Sequence, residues 1–243
     1  MTTDNSNAKT STTAQTVDHK SAFVTGSAKR LGASTVRMLH QANYNVIIHC
    51  RSSRQAADEL AIDLNDQRAN SAHVIQGDLN DETMYVSLIE QAYQCWNRLD
   101  VLVNNASSFF PTPVGSITMD QWDNLVNSNM KAPLFLSQAA APFLKQNHGC
   151  IINMVDVHGQ RPMKDHPVYC AAKAGLAMLT MSLAKELGPE VRVNGVAPGA
   201  ILWPENEMAE DTKNLILERT ALKKAGNPLD IAKTILFLFI SMA

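Results

Sequence analysis

Short apolar runs that alternate with longer helical patterns constrain this chain more than any other feature. The runs are apolar on both faces and rich in β-branched residues, which is typical of parallel strands covered by helices on both sides. We therefore predict an α/β protein with a single doubly wound parallel sheet, a Rossmann-type fold. The predicted strands are 22–25, 46–49, 73–76, 101–103, 151–155 and 192–196, and the predicted helices are 33–42, 55–67, 84–96, 119–144 and 168–187.

Composition excludes several functional classes. The 243 residues are 45% hydrophobic, which is enough for a sizeable core, and the formal net charge is −2. Without a basic excess, we expect neither nucleic acid nor a membrane surface as a partner. The four cysteines form no C-x-x-C pair, which argues against zinc and disulfides and fits a reducing cytoplasm. His148, His158 and His166 lack metal-ligand spacing, so we expect ordinary loop histidines.

The first residues differ in composition from the rest of the chain. Segment 1–19 is polar and lacks the apolar stretch of a signal peptide, so we predict a disordered tail before a domain at 20–243. The longest apolar run, 235–240, is too short to span a bilayer, and we expect a soluble protein.

A glycine-containing turn follows the first predicted strand, with the sequence T-G-S-A-K-R-L-G at 25–32. Gly26 allows a tight turn, Gly32 allows close contact between helix and strand, and the helix N-terminus offers N–H groups to a pyrophosphate. We predict a dinucleotide site. The alternative is an ordinary turn between strand and helix, in which Lys29 and Arg30 would have to be solvated charges. The expected contacts here are Gly26, Lys29, Arg30, Leu31 and Gly32.

The end of the second predicted strand indicates which dinucleotide binds. An NAD site usually has an acidic residue there for the ribose 2′-OH, but segment 49–54 reads H-C-R-S-S-R. The guanidinium of Arg51 and the hydroxyl of Ser52 suit a 2′-phosphate, so we predict NADPH/NADP+, with His49 as a further contact. The alternative is a solvated loop with incidental charge.

Two more strand ends are predicted to meet the same ligand. Asp78 and Leu79 follow the third strand, where a carboxylate can accept from the adenine amino group; Asp78 is also a candidate helix N-cap. Asn105, Ala106 and Ser107 follow the fourth strand, and their small side chains let the backbone approach the cofactor.

Tyr169 and Lys173 lie four residues apart at the start of a predicted helix, so both face the same side. A nearby ammonium stabilises tyrosinate and lowers a phenol pKa from its usual value of about 10. We therefore expect Tyr169 to be a proton donor near neutral pH. A helix-surface pair without function is the alternative.

Together these motifs resemble the short-chain dehydrogenase/reductase family, over about residues 20–240. T-G-x-x-x-x-x-G, N-N-A, Y-x-x-x-K and a Pro-Gly pair occur in the family's order. The resemblance implies that Lys173 also holds the nicotinamide ribose and that Asn129 anchors a water leading protons to it. It further implies cofactor contacts at Met154, Tyr169, Pro198 and Gly199.

One position departs from the general family. The usual catalytic Ser lies thirteen residues before the Tyr, where this chain has Asp156. A hydroxyl polarises a ketone, whereas a carboxylate beside Tyr169 can relay a proton to a ring nitrogen while hydride reaches the neighbouring carbon. This combination resembles the pteridine reductase branch, including its bacterial dihydropterin and dihydromonapterin reductases.

The substrate contacts follow from that resemblance, which extends to segment 104–113. In that branch the pterin is sandwiched between the nicotinamide and an aromatic ring, at Phe109 here, and residues matching Arg30 and Ser107 contact pterin and phosphate. Trp203 is expected to line the pocket. The alternatives are loop packing for Phe109 and a mere anchoring role for Trp203. The predicted substrate contacts are Arg30, Ser107, Phe109, Asp156, Tyr169 and Trp203.

The expected activity is NADPH-dependent reduction of a dihydropterin, 7,8-dihydrobiopterin or dihydromonapterin, to its tetrahydro form, with dihydrofolate as a further candidate. One alternative is a carbonyl reductase of the 3-oxoacyl-carrier-protein reductase type, against which Asp156 argues. Another is a non-catalytic cofactor-sensing module, against which the intact Tyr169, Lys173 and Asn129 argue.

The resemblance also implies a homo-oligomer, a tetramer or a dimer. The apolar stripe of Met178, Leu179, Met181 and Leu183 is expected in the core or a subunit interface, and the acids Glu205, Glu207, Glu210 and Asp211 are expected on a solvated face. Relatives continue beyond the last predicted helix, 229–242, into a seventh strand that this sequence does not show. The sequence is therefore either truncated or given without its end, and we expect the sixth strand at an exposed edge.

Overall fold

The computed structural model describes residues 19–203 and 209–240. These residues form six parallel strands in one sheet, with the spatial order 3-2-1-4-5-6, as expected for a doubly wound fold. The order reverses between the first and fourth strands, and this reversal opens a crevice at their carboxyl ends. The strands are β1 (Ser21–Val24), β2 (Asn45–Cys50), β3 (Ala72–Gln76), β4 (Val101–Asn104), β5 (Cys150–Met154) and β6 (Arg192–Val196).

Helices cover both faces of the sheet. One apolar cluster lies between the sheet and the first, second and last helices, and a second cluster lies under the third, fifth and sixth. Strands β1, β2, β4 and β5 are therefore buried along their whole length, which explains their continuous apolar runs. The helices are α1 (Arg30–Gln41), α2 (Arg54–Gln67), α3 (Tyr85–Gln94), α4 (Met119–Val126), α5 (Ala132–Gln146), α6 (Pro167–Leu187), α7 (Glu210–Arg219) and α8 (Pro228–Ile240).

The predicted continuous helix at 119–144 is wrong, because a π-helical turn, Asn127–Lys131, interrupts it between α4 and α5. Thr118 begins α4 with a capping box shared with Gln121. Such single π turns widen a helix locally and often occur at functional sites. Here the widened turn buries Asn129 beside the strand ends.

The C-terminal part of the chain adds two features. Helix α7 was not predicted; it has no buried residue, and the acids Glu210 and Asp211 in its first turn are exposed, as expected. Strand β6 pairs with β5 at the edge of the described sheet. Arg192 on β6 donates to the carbonyls of Leu238 and Phe239 and so secures the end of α8. Three predictions lie outside the described residues: the tail at 1–19, of which only residue 19 is described, the solvated acids Glu205 and Glu207, and the end of the predicted last helix.

Helix α6 is, by length and composition, long and apolar enough to cross a membrane. Within the described residues it packs against β6, α4 and the π-helical turn, and it buries Tyr169 and Lys173. Helices packed in a protein core pass the same test of length and composition.

Candidate active site

A cleft of about 530 Å³ opens at the carboxyl ends of β1 to β4. Most of the predicted cofactor contacts line it, whereas Met154, Tyr169, Lys173, Pro198 and Gly199 stand outside it, at or beyond the ends of β5 and β6. Its lining includes Gly26, Lys29, Arg30, Leu31, Gly32, His49, Arg51, Ser52, Asp78, Leu79, Asn105, Ala106 and Ser107. Sequence reasoning missed Ala28, Cys50, Ser53, Asn80, Ser108 and Ser128, and each of these is a chain neighbour of a predicted site residue.

The glycine turn has the geometry of an anion-binding turn. Gly26 adopts a φ of 59°, in the left-handed region that favours glycine. A Cβ on Gly32 would lie 2.6 Å from the Gly26 carbonyl oxygen and from the Ser27 Cα, so the close contact is with the turn itself rather than with the strand. Lys29 is the N-cap residue of α1, but its side chain makes no capping hydrogen bond. The N–H groups at the start of the helix are therefore not capped by this side chain.

The loop after β4 is held against this turn by two side chains. The Thr25 hydroxyl accepts hydrogen bonds from the backbone N–H groups of Asn105 (2.9 Å) and Ala106 (3.0 Å). In return, the Asn105 amide donates to the carbonyls of Thr25 (2.8 Å) and Gly26 (3.0 Å). Asn105 therefore braces the turn, and small residues are needed because a Cβ on Gly26 would lie 2.9 Å from the Ala106 Cα.

The loops after β2 and β3 form the far end of the cleft. Arg51 and Ser52 are exposed along it, and Gln76 donates to the Arg51 carbonyl at 2.8 Å. Asp78 accepts from the backbone of Asn80 at 2.9 Å and is not a helix cap. Asp81 instead caps the 3₁₀ turn Glu82–Met84, so the alternative prediction of a capping Asp78 is wrong.

Tyr169 and Asp156 form a direct pair. The Tyr169 hydroxyl donates to Oδ2 of Asp156 at 2.7 Å, while Oδ1 accepts the backbone N–H of His158 at 2.8 Å. Burial raises the pKa of Tyr169 above its usual value, and the charge and hydrogen bond of Asp156 raise it further. The predicted lowering of this pKa is therefore wrong: the carboxylate lies against the hydroxyl and favours the neutral phenol.

Lys173 lies under the ring of Tyr169 rather than beside its hydroxyl. Its Nζ is 5.7 Å from the Tyr169 ring centroid and donates to the Met154 carbonyl at 2.8 Å. The side chain is buried, and burial lowers the pKa of Lys173 to about 8, while the charge of Asp156 acts in the opposite direction. Met154 thus positions the ammonium through its backbone.

Ser107 connects Asn129 to the Tyr169 side of the site. Its hydroxyl donates to Oδ1 of Asn129 at 2.7 Å, and Ser107 counteracts part of the rise in the pKa of Tyr169. The Asn129 amide donates to the carbonyls of Ser108 (2.8 Å) and Leu125 (3.0 Å). The water between Asn129 and Lys173 that the family resemblance implies stays a prediction.

Phe109 carries the most exposed ring of the site, at 45%. It stacks on His166 with ring centroids 4.8 Å apart and planes 12° apart, and the Tyr169 ring packs nearly perpendicular to it, with centroids 4.9 Å apart. Loop packing is instead the role of Phe110, which lies against Leu125, Val168 and Cys170. His166 does lie in a loop, but its contact with Phe109 was missed; its place three residues before Tyr169 was the available signal.

Arg30 reaches from the glycine turn to the loop after β6. Its guanidinium donates to the Trp203 carbonyl at 3.0 Å, and its φ of 55° is a left-handed conformation that is uncommon for a residue with a side chain. Trp203 is half-buried, and Pro198 and Gly199 precede it on the same loop. The side chain of Arg30 therefore joins the glycine turn to the loop after β6.

A doubly wound sheet with a glycine turn at β1 and a Tyr–Lys pair after β5 defines a nicotinamide-dependent oxidoreductase. The family described as short chain dehydrogenase matches residues 20–214. The chain belongs to the short-chain dehydrogenase/reductase family.

Similar proteins within the family act on different substrates. Pteridine reductase 1 of Leishmania tarentolae is 37% identical over 224 residues, covering 76% of this chain and 78% of that protein. The 3-oxoacyl-(acyl-carrier-protein) reductase FabG of Staphylococcus epidermidis is 32% identical over 227 residues, covering 90% and 91%. The 7alpha-hydroxysteroid dehydrogenase of Bacteroides fragilis is 31% identical over 228 residues, covering 91% and 87%. Family membership therefore leaves the substrate to be argued from the site.

Proposed function

We propose that this protein reduces the C6=N5 bond of a 7,8-dihydropterin with NADPH and gives the tetrahydropterin. The observation that carries the proposal is the 2.7 Å hydrogen bond between Tyr169 and Asp156, at a position where the general family has a serine. The similarity to a pteridine reductase over about three quarters of both chains supports it.

The cleft fits an NADP-type dinucleotide. Its volume of about 530 Å³ suits a ligand of this size, and the start of α1 has no side-chain cap, which leaves its N–H groups for a pyrophosphate. Arg51 and Ser52 would hold the 2′-phosphate, because a guanidinium and a hydroxyl both donate to its oxygens. Lys173 would hold the nicotinamide ribose. When bound, NADPH supplies the hydride.

Tyr169 would supply the proton to N5. Hydride addition at C6 leaves the electron pair of the C=N bond on N5, which makes that nitrogen strongly basic. A neutral phenol is acid enough for such a base, even with its pKa raised by burial and Asp156. Asp156 would hold the hydroxyl in place and return a proton from solvent to the phenol oxygen.

Phe109 would orient the ring system of the substrate. One face of Phe109 is covered by His166, and Phe109 stays 45% exposed with the Tyr169 ring packed nearly perpendicular to it, so a substrate would stack on the face opposite His166, beside the proton donor. A flat heterocycle stacked on that face would bring its ring nitrogen towards the Tyr169 hydroxyl.

One assay tests the function directly. NADPH oxidation is measured with dihydrobiopterin, dihydrofolate and an acetoacetyl thioester side by side. We expect the highest kcat/KM with dihydrobiopterin, lower turnover with dihydrofolate and little with the thioester. Dominant thioester reduction would replace the proposal with a carbonyl reductase. Tight NADPH binding without turnover of any of the three would indicate a cofactor-sensing module.

We also propose that the protein is a homo-oligomer. Met178 and Met181 on α6 are more than half exposed, so the predicted stripe is not core there, and an apolar groove of about 490 Å³ lies beside it. A second copy of the same face would cover both. Light scattering of Met178→Glu should then give a smaller particle than the parent.

The four free cysteines support our proposal of a reducing cytoplasm as the compartment of this protein.

A further inference from the structure

His49 stands at the end of β2 and connects three strand ends beneath the cofactor cleft. It is 1% exposed, yet it borders the cleft. The backbone N–H of Gly26 donates to Nδ1 of His49 at 3.0 Å, and Nε2 lies 3.2 Å from the Gly77 carbonyl oxygen beyond β3. The backbone is linked as well, since Ser27 donates to the His49 carbonyl (2.8 Å) and accepts its N–H on the hydroxyl (3.1 Å).

These contacts fix the protonation state of the imidazole. A backbone N–H can only donate, so Nδ1 must be the acceptor and carries no proton. The proton of the neutral ring is therefore on Nε2, which donates to the Gly77 carbonyl. Burial lowers the pKa of His49 to about 4, while the bond to Gly77 and the charge of Asp78 oppose this shift, so the ring is neutral at pH 7.

Of the residues that contact His49, Gly26 depends most on the acceptor nitrogen Nδ1. Its left-handed φ of 59° turns the chain sharply, and its N–H is directed inwards at His49 instead of at the cleft. Removing the acceptor would leave that partly buried N–H without its partner and free the peptide to rotate. The direction of the following N–H groups, which face the cleft at the start of α1, depends on this peptide.

We propose that neutral His49 is a positioning residue for the dinucleotide, because it holds the Gly26 peptide and ties the glycine turn to the ends of β2 and β3. The role concerns the pyrophosphate part of the cofactor, so it is independent of which substrate the protein reduces. It does not depend on the dihydropterin proposal.

Three substitutions separate this role from simple core packing. His49→Asn keeps an acceptor at the position of Nδ1 and loses the donor to Gly77. His49→Gln keeps a donor at the position of Nε2 and loses the acceptor for Gly26. His49→Leu keeps most of the volume and loses both. The readouts are the Kd of NADPH and of NADH by fluorescence titration, together with Tm.

We expect the Asn variant to bind NADPH within about threefold of the parent and the Gln variant about tenfold more weakly, as one lost hydrogen bond predicts. The Leu variant should bind at least as weakly as Gln. NADH affinity should fall by the same factor, because both cofactors share the pyrophosphate, and kcat at saturating NADPH should stay near the parent value. Equal Kd values for the Asn and Gln variants would overturn the proposal, as would a loss of Tm with unchanged Kd. The Asn–Gln contrast decides the matter even if the Leu variant does not fold.

Discussion

The two halves of the active site are built by different kinds of contact. In the cofactor half, side chains bind the backbone: the buried Thr25 and His49 and the partly buried Asn105 hold the glycine turn through hydrogen bonds of 3.2 Å or less. In the substrate half, the half-exposed Phe109 ring rests on His166 by stacking. Backbone-directed bonds tolerate few residue types, whereas a stacked ring accepts many. The cofactor half therefore accepts few changes, whereas the proposed substrate half leaves room for different substrates.

The largest expected effect is that of Tyr169→Phe, which removes the proton donor and leaves the cofactor half untouched. Proton transfer by a positioned group typically contributes about 10²- to 10⁴-fold, so dihydropterin turnover should fall by that factor. The Kd of NADPH should stay nearly unchanged. A variant that keeps more than about half of the parental kcat would assign the proton donor to another group.

Lys173 belongs to both halves and gives the site a pH dependence. Because burial lowers its pKa to about 8, its ammonium is present below that pH and is lost above it. NADPH affinity and kcat/KM should therefore decline as pH rises through about 8. Lys173→Arg, which does not titrate in this range, should bind NADPH with a flatter profile, whereas Lys173→Ala should lose affinity and turnover together. A parent profile that stays level from pH 7 to about 10 would contradict this role.

Arg51 tests the cofactor half alone. A charge-assisted hydrogen bond is typically worth roughly 1.5–3 kcal/mol, so the parent should prefer NADPH over NADH about ten- to hundred-fold. Arg51→Glu should weaken or reverse that preference without changing kcat at saturating cofactor. Equal KM values for NADPH and NADH in the parent would refute the assignment of a 2′-phosphate site.

His166 tests the substrate half alone and has the smallest expected effect. A stacked aromatic pair is worth about 0.5–1.5 kcal/mol, so His166→Ala should raise KM for the dihydropterin about two- to tenfold. His166→Phe keeps a flat ring behind Phe109 and should restore most of the affinity. The Kd of NADPH serves as the control and should not move in either variant. Equal KM values in the Ala and Phe variants would show that stacking is not what positions Phe109.

The cofactor half could be predicted from sequence because its contacts follow strand order. Each parallel strand ends at the same edge of the sheet, so the residues after β1, β2, β3 and β4 meet there, as 25–32 and 105–107 do. The roles were harder to assign: Asn105 and His49 were predicted to touch the cofactor, and the structure uses both to brace the turn.

The substrate half was less predictable, for physical reasons. The stacking of Phe109 on His166 joins two loops that are more than fifty residues apart, and neither loop has a periodic pattern. The π-helical turn that buries Asn129 leaves the apolar spacing of a continuous helix almost unchanged, so 119–144 reads as one element. The pKa of Tyr169 depends on which group lies against its hydroxyl, and spacing along a helix does not reveal that Asp156 does so while Lys173 lies under the ring.

Asp156 carries the central claim, because it distinguishes the proposed dihydropterin reduction from ketone reduction. The direct test is kcat/KM for dihydrobiopterin and for a small ketone, in the parent and in Asp156→Ser, measured across pH. A hydroxyl can donate to a carbonyl but is a poor relay of protons to a nitrogen, whereas a carboxyl exchanges protons with Tyr169 and solvent. We predict a heavy loss of dihydrobiopterin reduction in Asp156→Ser, with ketone reduction retained or increased. An unchanged kcat/KM for dihydrobiopterin in that variant would contradict the account.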